Sequence, residues 1–423
     1  MAITKVRQQM NRSVLTVAIA AVISFGAGAG NARAAELNVA DRAVAGGADA
    51  TESYVIRRLQ EQAEADNNIE LLDLLASAST DAEAAQLAAE LTPDRSGANI
   101  YGVIQAQDLF TNALSVRITD YLLGNSARNS VWVSFLSSDY KEPINTQGTN
   151  RYDGVDSTAN GFAVGYEKMF SEATTLGVAI SQQKVKATSR LYKNETDIDS
   201  YQAAIYGMVA LSDLYFSGRG VVGWNANTSS RTIGSTTGYD EHTDAFAMFN
   251  SQNIALELDV IYPLYWQDFT LLPTLSTDYT WVKVEDYAEN YVRTFTKKGD
   301  VDLSSGSPAA LAYDTQHYQE LNLGMGVELA HSYSFDYGVI QTRLGASASF
   351  EVLDDELTKT ARLASGGESF TVGVKEREDT RYQAHATLLW ETNGSVAWSL
   401  SVEREWDAQA ENMMVYGRAL YAF

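Results

Sequence analysis

From Ser130 onward the apolar and polar residues alternate. Phe162, Val164 and Tyr166 stand on one side of a short segment, with Ala163, Gly165 and Glu167 on the other. Leu321, Leu323, Met325, Val327 and Leu329 oppose Glu320, Asn322, Gly324, Gly326 and Glu328, and Tyr382, Ala384, Ala386, Leu388 and Trp390 oppose Arg381, Gln383, His385, Thr387 and Glu391. Ile340, Thr342, Leu344, Ala346, Ala348 and Phe350 likewise oppose Gln341, Arg343, Gly345, Ser347, Ser349 and Glu351. A period of two with one apolar face is a half-buried strand. Roughly twelve such segments begin near Val131, Gly161, Leu176, Tyr201, Phe216, Ala245, Leu271, Leu321, Ile340, Tyr382, Val396 and Met413. After the even segments the connections are tight, at Phe170–Thr174, Ser212-Asp213, Gln267-Asp268, Ser334–Tyr337 and Thr392–Ser395. After the odd ones they are mostly longer, at Tyr140–Thr158, Tyr192–Asp197, Gly234–His242, Ala288–Gln316 and Asp354–Asp379. Short turns alternating with long loops are the pattern of a membrane-spanning barrel, whose apolar face meets lipid and whose polar face lines a lumen. Trp132, Trp224, Tyr262, Trp266, Tyr279, Trp281, Trp390 and Trp398 lie near strand ends, where aromatic girdles are expected.

Upstream the period changes to that of helices. Residues 51–91 are rich in Ala, Glu, Gln and Leu, with Ile56, Leu59, Leu71, Leu72, Leu74 and Leu75 at helical spacing. Thr80-Asp81-Ala82-Glu83 is a capping box that opens a helix through Leu91, and Thr92-Pro93-Asp94 ends it. A longer helix is expected from Ala98 to Leu123, with Gly124 as its stop. At a rise of about 1.5 Å per residue it would measure ~39 Å, enough to cross a bilayer's hydrocarbon. Gln105, Gln107, Asp108, Asn112, Arg117 and Asp120 are scattered through it, so it cannot face lipid. Placed just before a barrel, it reads as a plug inside the pore. The fold expected is therefore an all-β transmembrane barrel of about 12 antiparallel strands, preceded by a short α-helical region and a pore-threading linker helix.

Composition and the chain ends assign a compartment. Lys5, Arg7 and Arg12 precede an apolar run from Ser13 to Gly30, and Ala32-Arg33-Ala34 follows with small-x-small spacing. This is a secretory signal, with cleavage expected between Ala34 and Ala35. Its apolar stretch falls short of the ~20 residues that a spanning helix needs. Removing residues 1–34 moves the formal charge from −23 to −27, which argues against nucleic acid as a partner. There is no cysteine, hence no disulfide framework and no thiolate metal site. At the other end, Met413, Val415, Gly417, Ala419, Tyr421 and Phe423 share one face, opposite Asn412, Met414, Tyr416, Arg418, Leu420 and Ala422. A strand that ends on an aromatic residue is expected to close an outer-membrane barrel.

Local sequence echoes add to this reading: Val131-Trp132, Asn160-Gly161-Phe162 with Gly165-Tyr166, Asp199-Ser200-Tyr201-Gln202 with Tyr206-Gly207, Leu272-Pro273 with Tyr279, and Tyr421-Ala422-Phe423. In their order and spacing the chain resembles the monomeric autotransporters of bacterial type V secretion, over roughly residues 98–423. The resemblance implies a signal peptide (1–34), a passenger-like region (35–95), a linker helix within the lumen (96–124) and an outer-membrane β-barrel (125–423). It implies that Gln107, Asn112, Arg117 and Asp120 belong to the linker inside the pore, and that Ala419, Tyr421 and Phe423 form the signal read by the barrel-assembly machinery. Implied partners are outer-membrane lipid and lipopolysaccharide, that machinery, and periplasmic chaperones. The chain departs from the family in the length of its passenger: only residues 35–95 precede the linker, and they show helical spacing without an internal repeat.

Motifs for catalysis are lacking: no G-x-S-x-G, no Gly-Asp-Ser esterase motif and no H-E-x-x-H, so neither an enzyme nor a cofactor or metal is expected. His242, His317, His331 and His385 are dispersed, and read as solvated polar residues. Asp240-Glu241 and Asp354-Asp355-Glu356 read as solvated loop faces. Asn67-Asn68, about thirty residues before the long helix, is expected outside the pore, where linker self-cleavage would not reach it. Asn112-Ala113 lies within the helix without the motif for such cleavage. The leading functional expectation is a translocator that anchors a short N-terminal segment and displays it at the cell surface. The alternative is a structural or adhesive barrel that meets a host or cell-surface ligand through its long loops, with a periplasmic helical domain. An open porin ranks lower, because a helix would fill its lumen.

Overall fold

Twelve strands form a closed antiparallel ring: β1 Ser130–Glu142, β2 Val155–Ser171, β3 Thr174–Ser189, β4 Glu195–Leu211, β5 Leu214–Ile233, β6 Thr243–Ile261, β7 Phe269–Val284, β8 Gln316–Phe335, β9 Gly338–Asp354, β10 Thr380–Thr392, β11 Val396–Trp406 and β12 Glu411–Ala422. The computed structural model describes residues 38–123, 129–147, 150–171, 173–234, 243–289, 291–295, 301–304, 307–354 and 356–423. The signal segment with Ala34 and Ala35, Gly124, Asp240-Glu241, His242 and Asp355 lie outside these residues. Each strand pairs with the next, and β12 returns to β1 in a register that sets Val131 opposite Tyr421 and Phe135 opposite Gly417. Closure leaves no unpaired edge, the condition for backbone amides to survive in hydrocarbon.

The burial pattern is inverted relative to a soluble barrel. Outward-facing Phe135, Ile180, Ile205, Leu258, Leu275 and Leu344 are exposed, whereas inward-facing Ser134, Ser138, Gln183, Ser200 and Asn253 are buried. Apolar side chains on the outside of every part of the ring make a band that is stable against lipid. No helix among the described residues is long and apolar enough to cross a membrane. The expected aromatic girdle needs one correction. Trp132 is 3% exposed and faces the lumen, because the β1 alternation puts residue 132 on the same side as Ser134 and Leu136. Trp224, Trp266, Trp390 and Trp398 do face outward.

Among the described residues, five helices precede β1: α1 Val39–Ala45, α2 Ala50–Ala65, α3 Ile69–Ala76, α4 Asp81–Leu91 and α5 Ala98–Leu123. Capping boxes start α2 at Asp49 and α4 at Thr80. Asn67 adopts a φ of 52°, and Asn68 caps α3 by accepting the Leu71 amide at 3.1 Å, so this pair forms a helix joint away from the lumen. Thr92 is extended, as the residue before Pro93 must be, and that ends α4.

α1 to α4 do not make a core alone. Val55, Ile56, Leu59, Leu71, Leu75 and Leu87 share one apolar cluster with Leu311, Tyr313, Leu363, Phe370 and Val372 from the long connections. Those connections are not irregular loops. Tyr287–Ala288, Leu311–Tyr313, Thr358–Leu363 and Phe370–Gly373 pair into a four-stranded sheet. Helices and sheet together form a cap on the long-connection end of the barrel.

Candidate functional site: the lumen and its helix

α5 runs down the inside of the barrel. It starts at the long-connection end, where the Tyr101 hydroxyl donates to the Lys375 carbonyl at 2.7 Å and Asn99 Nδ2 donates to Gln316 Oε1 at 3.2 Å. It finishes at the short-turn end, where Gln341 Nε2 donates to the Leu123 carbonyl at 3.3 Å. Apolar residues of the helix, among them Ile100, Ile104, Phe110, Leu114 and Ile118, are buried against Trp132, Leu136, Val185, Val221, Val282 and Met414 of the wall. The remaining faces carry polar groups that the wall satisfies, as a helix surrounded by protein requires.

Each of the four linker residues singled out by sequence has a wall partner. Gln107 donates to Thr280 Oγ1 at 2.7 Å and accepts from Asn253 Nδ2 at 2.9 Å. Asn112 donates to Glu403 Oε1 at 2.8 Å. The Arg117 Nε lies 2.9 Å from both Glu167 oxygens, and its Nη2 donates to Ser130 Oγ at 3.2 Å. Asp120 accepts from Arg343 Nη2 at 2.6 Å and also from Arg418. Gln105 is a fifth, donating to Ser138 Oγ at 2.8 Å and accepting from Ser157 Oγ at 2.6 Å.

The wall partners escaped sequence reasoning. Glu167 is further held by the Tyr206 hydroxyl at 2.7 Å, which in turn accepts from Trp132 Nε1 at 2.7 Å. Gly165 makes room for that tryptophan, since a Cβ there would fall 2.4 Å from its ring. The one available signal was a charged residue at an inward position of an otherwise small or neutral strand face, as at Glu167, Arg343 and Arg418. Of the histidines, His385 Nε2 lies 2.6 Å from Glu328 Oε2 inside the lumen, whereas His331 packs against Phe269 and Tyr333.

Beside the helix a cavity of about 220 Å³ remains. Ser276, Gly324, Gly326, Ser347 and Ser349 keep its wall thin, and Asp108, Glu257, Asp259, Asp278, Glu320, Glu328 and Glu405 outnumber Arg219 and Arg381 along it. Five of these acids have an arginine partner: Arg219 donates to Glu257 at 2.6 Å and sits 2.9 Å from Asp259, Arg381 sits 3.3 Å from Glu320, Arg377 3.4 Å from Glu405 and Arg343 3.7 Å from Glu328.

The cap is tied to the barrel through buried ion pairs. Arg95 reaches Asp49 at 2.6 Å, and Asp49 also accepts the Arg151 amide at 2.9 Å. Arg231, at the end of β5, meets Glu289 at 2.7 Å and donates to the Glu90 carbonyl at 2.5 Å. Lys359 donates to the Asp94 carbonyl at 2.6 Å, and burial holds its ammonium below the ordinary lysine range. Tyr421 and Phe423 stack at 6.2 Å on the outside of β12 and its end, with Ala419 on the same face.

A family model described as the autotransporter beta-domain matches residues 131–403. Among solved structures, the translocator domain of the autotransporter NalP from Neisseria meningitidis is similar at a TM-score of 0.55 and 16% identity, over 75% of this chain and 98% of that one. The beta domain of the Bordetella autotransporter BrkA is similar at 0.46 and 10% identity, over 70% and 100% of the two chains. The transport unit of AIDA-I from Escherichia coli is similar at 0.44 and 9% identity, over 75% and 99%. No curated protein matches by sequence. With a matched stretch that runs from β1 into β11 and takes in more than half of the chain, on a closed twelve-strand ring with a helix in its lumen, this protein belongs to the autotransporter family and is an outer-membrane barrel of the type V secretion class.

Proposed function

We propose that the chain is a translocator that carries its own N-terminal segment out through the lumen and keeps it at the cell surface as the cap. One observation carries the reading: α1 to α4 share a single apolar core with the long connections of the barrel. Long connections face outward in barrels of this kind and short turns face the periplasm. A segment folded against the long connections therefore belongs outside. α5 is then the part of the exported chain that stayed behind, with Gln107, Asn112, Arg117 and Asp120 as its anchors on the wall. In the same proposal residues 1–34 are removed between Ala34 and Ala35, and the assembly machinery reads Ala419, Tyr421 and Phe423 on the way to the membrane. Lipopolysaccharide and lipid surround the apolar band. The fold has the work of passage and anchoring, and no chemical step is assigned to it.

Cysteine labelling on intact cells tests the proposal without background, because the chain has no native cysteine. Single cysteines at Glu61 of α2 and at Thr146 in the first long connection are both expected to react with a membrane-impermeant maleimide. Labelling at Thr146 alone would place the helices in the periplasm and return the function to the loops.

A further inference from the structure

α5 carries three charged residues, Asp108, Arg117 and Asp120, and two of them meet oppositely charged sockets in the wall. The first socket is acidic: Glu167 on β2, fixed by Ser130 at 2.8 Å and Tyr206 at 2.7 Å, receives Arg117. The second is basic: Arg343 on β9 and Arg418 on β12, the latter also bonded to Ser399 at 2.9 Å, receive Asp120. All five charged side chains are at most 4% exposed. From this we infer that the paired sockets are a register stop, which halts the linker helix at one position in the barrel and so fixes where the exported segment comes to rest. The inference deepens the proposed passage of the N-terminal segment through this lumen and rests on it.

The argument is one of sign and spacing. An α-helix slides in a channel by a screw motion, so a shift of three residues carries one side chain into the place of another. Shifted outward by three, Asp120 would take the place of Arg117 and face Glu167. Shifted inward by three, Arg117 would face Arg343 and Arg418. Either step sets like charges together in a site with little water, where a charge without its partner is strongly destabilising. Shifted outward by four, Tyr121 and Gly124 would enter the sockets; shifted inward by four, Ala113 and Val116 would. Both leave Glu167 and Arg418 buried without a charge partner, and Arg343 with Glu328 alone, at 3.7 Å. The outer half of the helix discriminates less, since its one charge, Asp108, lines the open cavity instead of a closed socket, and Gln105, Gln107 and Asn112 bond through amides to Ser138, Ser157, Thr280, Asn253 and Glu403. Amides donate and accept, and a shifted helix could find substitutes among the many hydroxyls and amides of the wall. Selectivity for one register therefore belongs to the charged pairs near the short-turn end.

Cross-linking in the purified full-length protein tests this. Cysteines replacing Gln107 and Thr280, whose side chains bond at 2.7 Å, report the observed register through a short thiol-specific cross-linker. In this background Arg117→Glu and Glu167→Arg are each expected to lower the cross-link yield by at least about tenfold, as expected when a buried pair is broken. The double exchange, Arg117→Glu with Glu167→Arg, restores it. Should a single reversal fail to assemble, Arg117→Gln with Glu167→Gln keeps hydrogen bonding and removes the charge, and its yield is expected to fall severalfold, as the charged pair no longer selects the register. Wild-type yield in the single reversals or in the neutral pair, or no rescue in the exchange, would overturn the inference. Labelling at Glu61 on intact cells separately reports whether the cap is outside. A failure there refutes the proposed passage while the cross-link still reads the register.

Discussion

Glu52 shows how a single side chain couples the cap to pH. It caps α2 by accepting the Asp49 amide at 2.9 Å and lies 3.6 Å from Arg95. Burial, and then the neighbouring Asp49 charge, hold its carboxyl above the ordinary glutamate value of 4.5 against the pull of the Asp49 amide and Arg95. The folded cap thus keeps this proton to a higher pH than the unfolded chain does. Stability must then fall as pH rises from 4.5 through the raised value, and level off above it. Glu52→Gln retains the acceptor for the cap and removes the titration. The protease-resistance midpoint of the cap, followed by heating from about pH 5 to about pH 7.5, is expected to decline less in the variant than in the wild type. An equal decline would assign the pH dependence to other groups. Arg231 makes a second case, because removing it strands Glu289 in a site 5% exposed. Arg231→Met should cost the cap about 3–5 kcal/mol and open residues 39–91 to protease, while the barrel keeps its heat-dependent gel mobility.

At the scale of elements, the two capping boxes are not equal. Thr80 does one job, accepting the Glu83 amide at 3.2 Å on an exposed turn. Asp49 accepts the Glu52 amide at 2.8 Å and also neutralises buried Arg95. Thr80→Ala should cost about 1 kcal/mol, the usual worth of a cap. Asp49→Ala should cost distinctly more, since Arg95 already has one nitrogen without a partner and would lose its closest one. Denaturant titration of cap proteolysis ranks the two, and equal costs would mean that Arg95 finds a substitute. The Thr80 box was legible in the sequence because Thr80 and Glu83 are three residues apart. The strands were legible for a similar reason: period two needs only near neighbours, and all twelve are present, although three begin five or six residues before the expected Gly161, Tyr201 and Leu321, at Val155, Glu195 and Gln316. α5 was legible in length and as a helix unfit for lipid. Its partners were not, because Arg117 pairs with Glu167 and Asp120 with Arg343 and Arg418 across separations of 50, 223 and 298 residues. Trp132 misled for a related reason, since girdle and lumen positions differ by one step of register.

The whole molecule departs most from what its sequence suggests in the long connections. They read as loops free to bind something, and instead they fold back as the floor of the cap. A helical segment as short as Val39–Leu91 lies below the ~70–80 residues at which a single core suffices without help. Leu311, Tyr313, Leu363, Phe370 and Val372 supply the missing wall. The cap is thus a composite domain, built from the start of the chain and two insertions in the barrel, and it has no complete core until both are on the same side of the membrane. Two outcomes follow. A peptide of residues 39–96 should lack a cooperative thermal transition by circular dichroism. Deleting Thr358–Gly373 from the full chain should leave a barrel that assembles, with residues 39–91 cut by protease at sites the wild type protects. A peptide that melts cooperatively, or a deletion that keeps the cap resistant, would make the helices an independent domain merely resting on the loops. Agreement would mean that the connections have been recruited to hold this protein's own N-terminus.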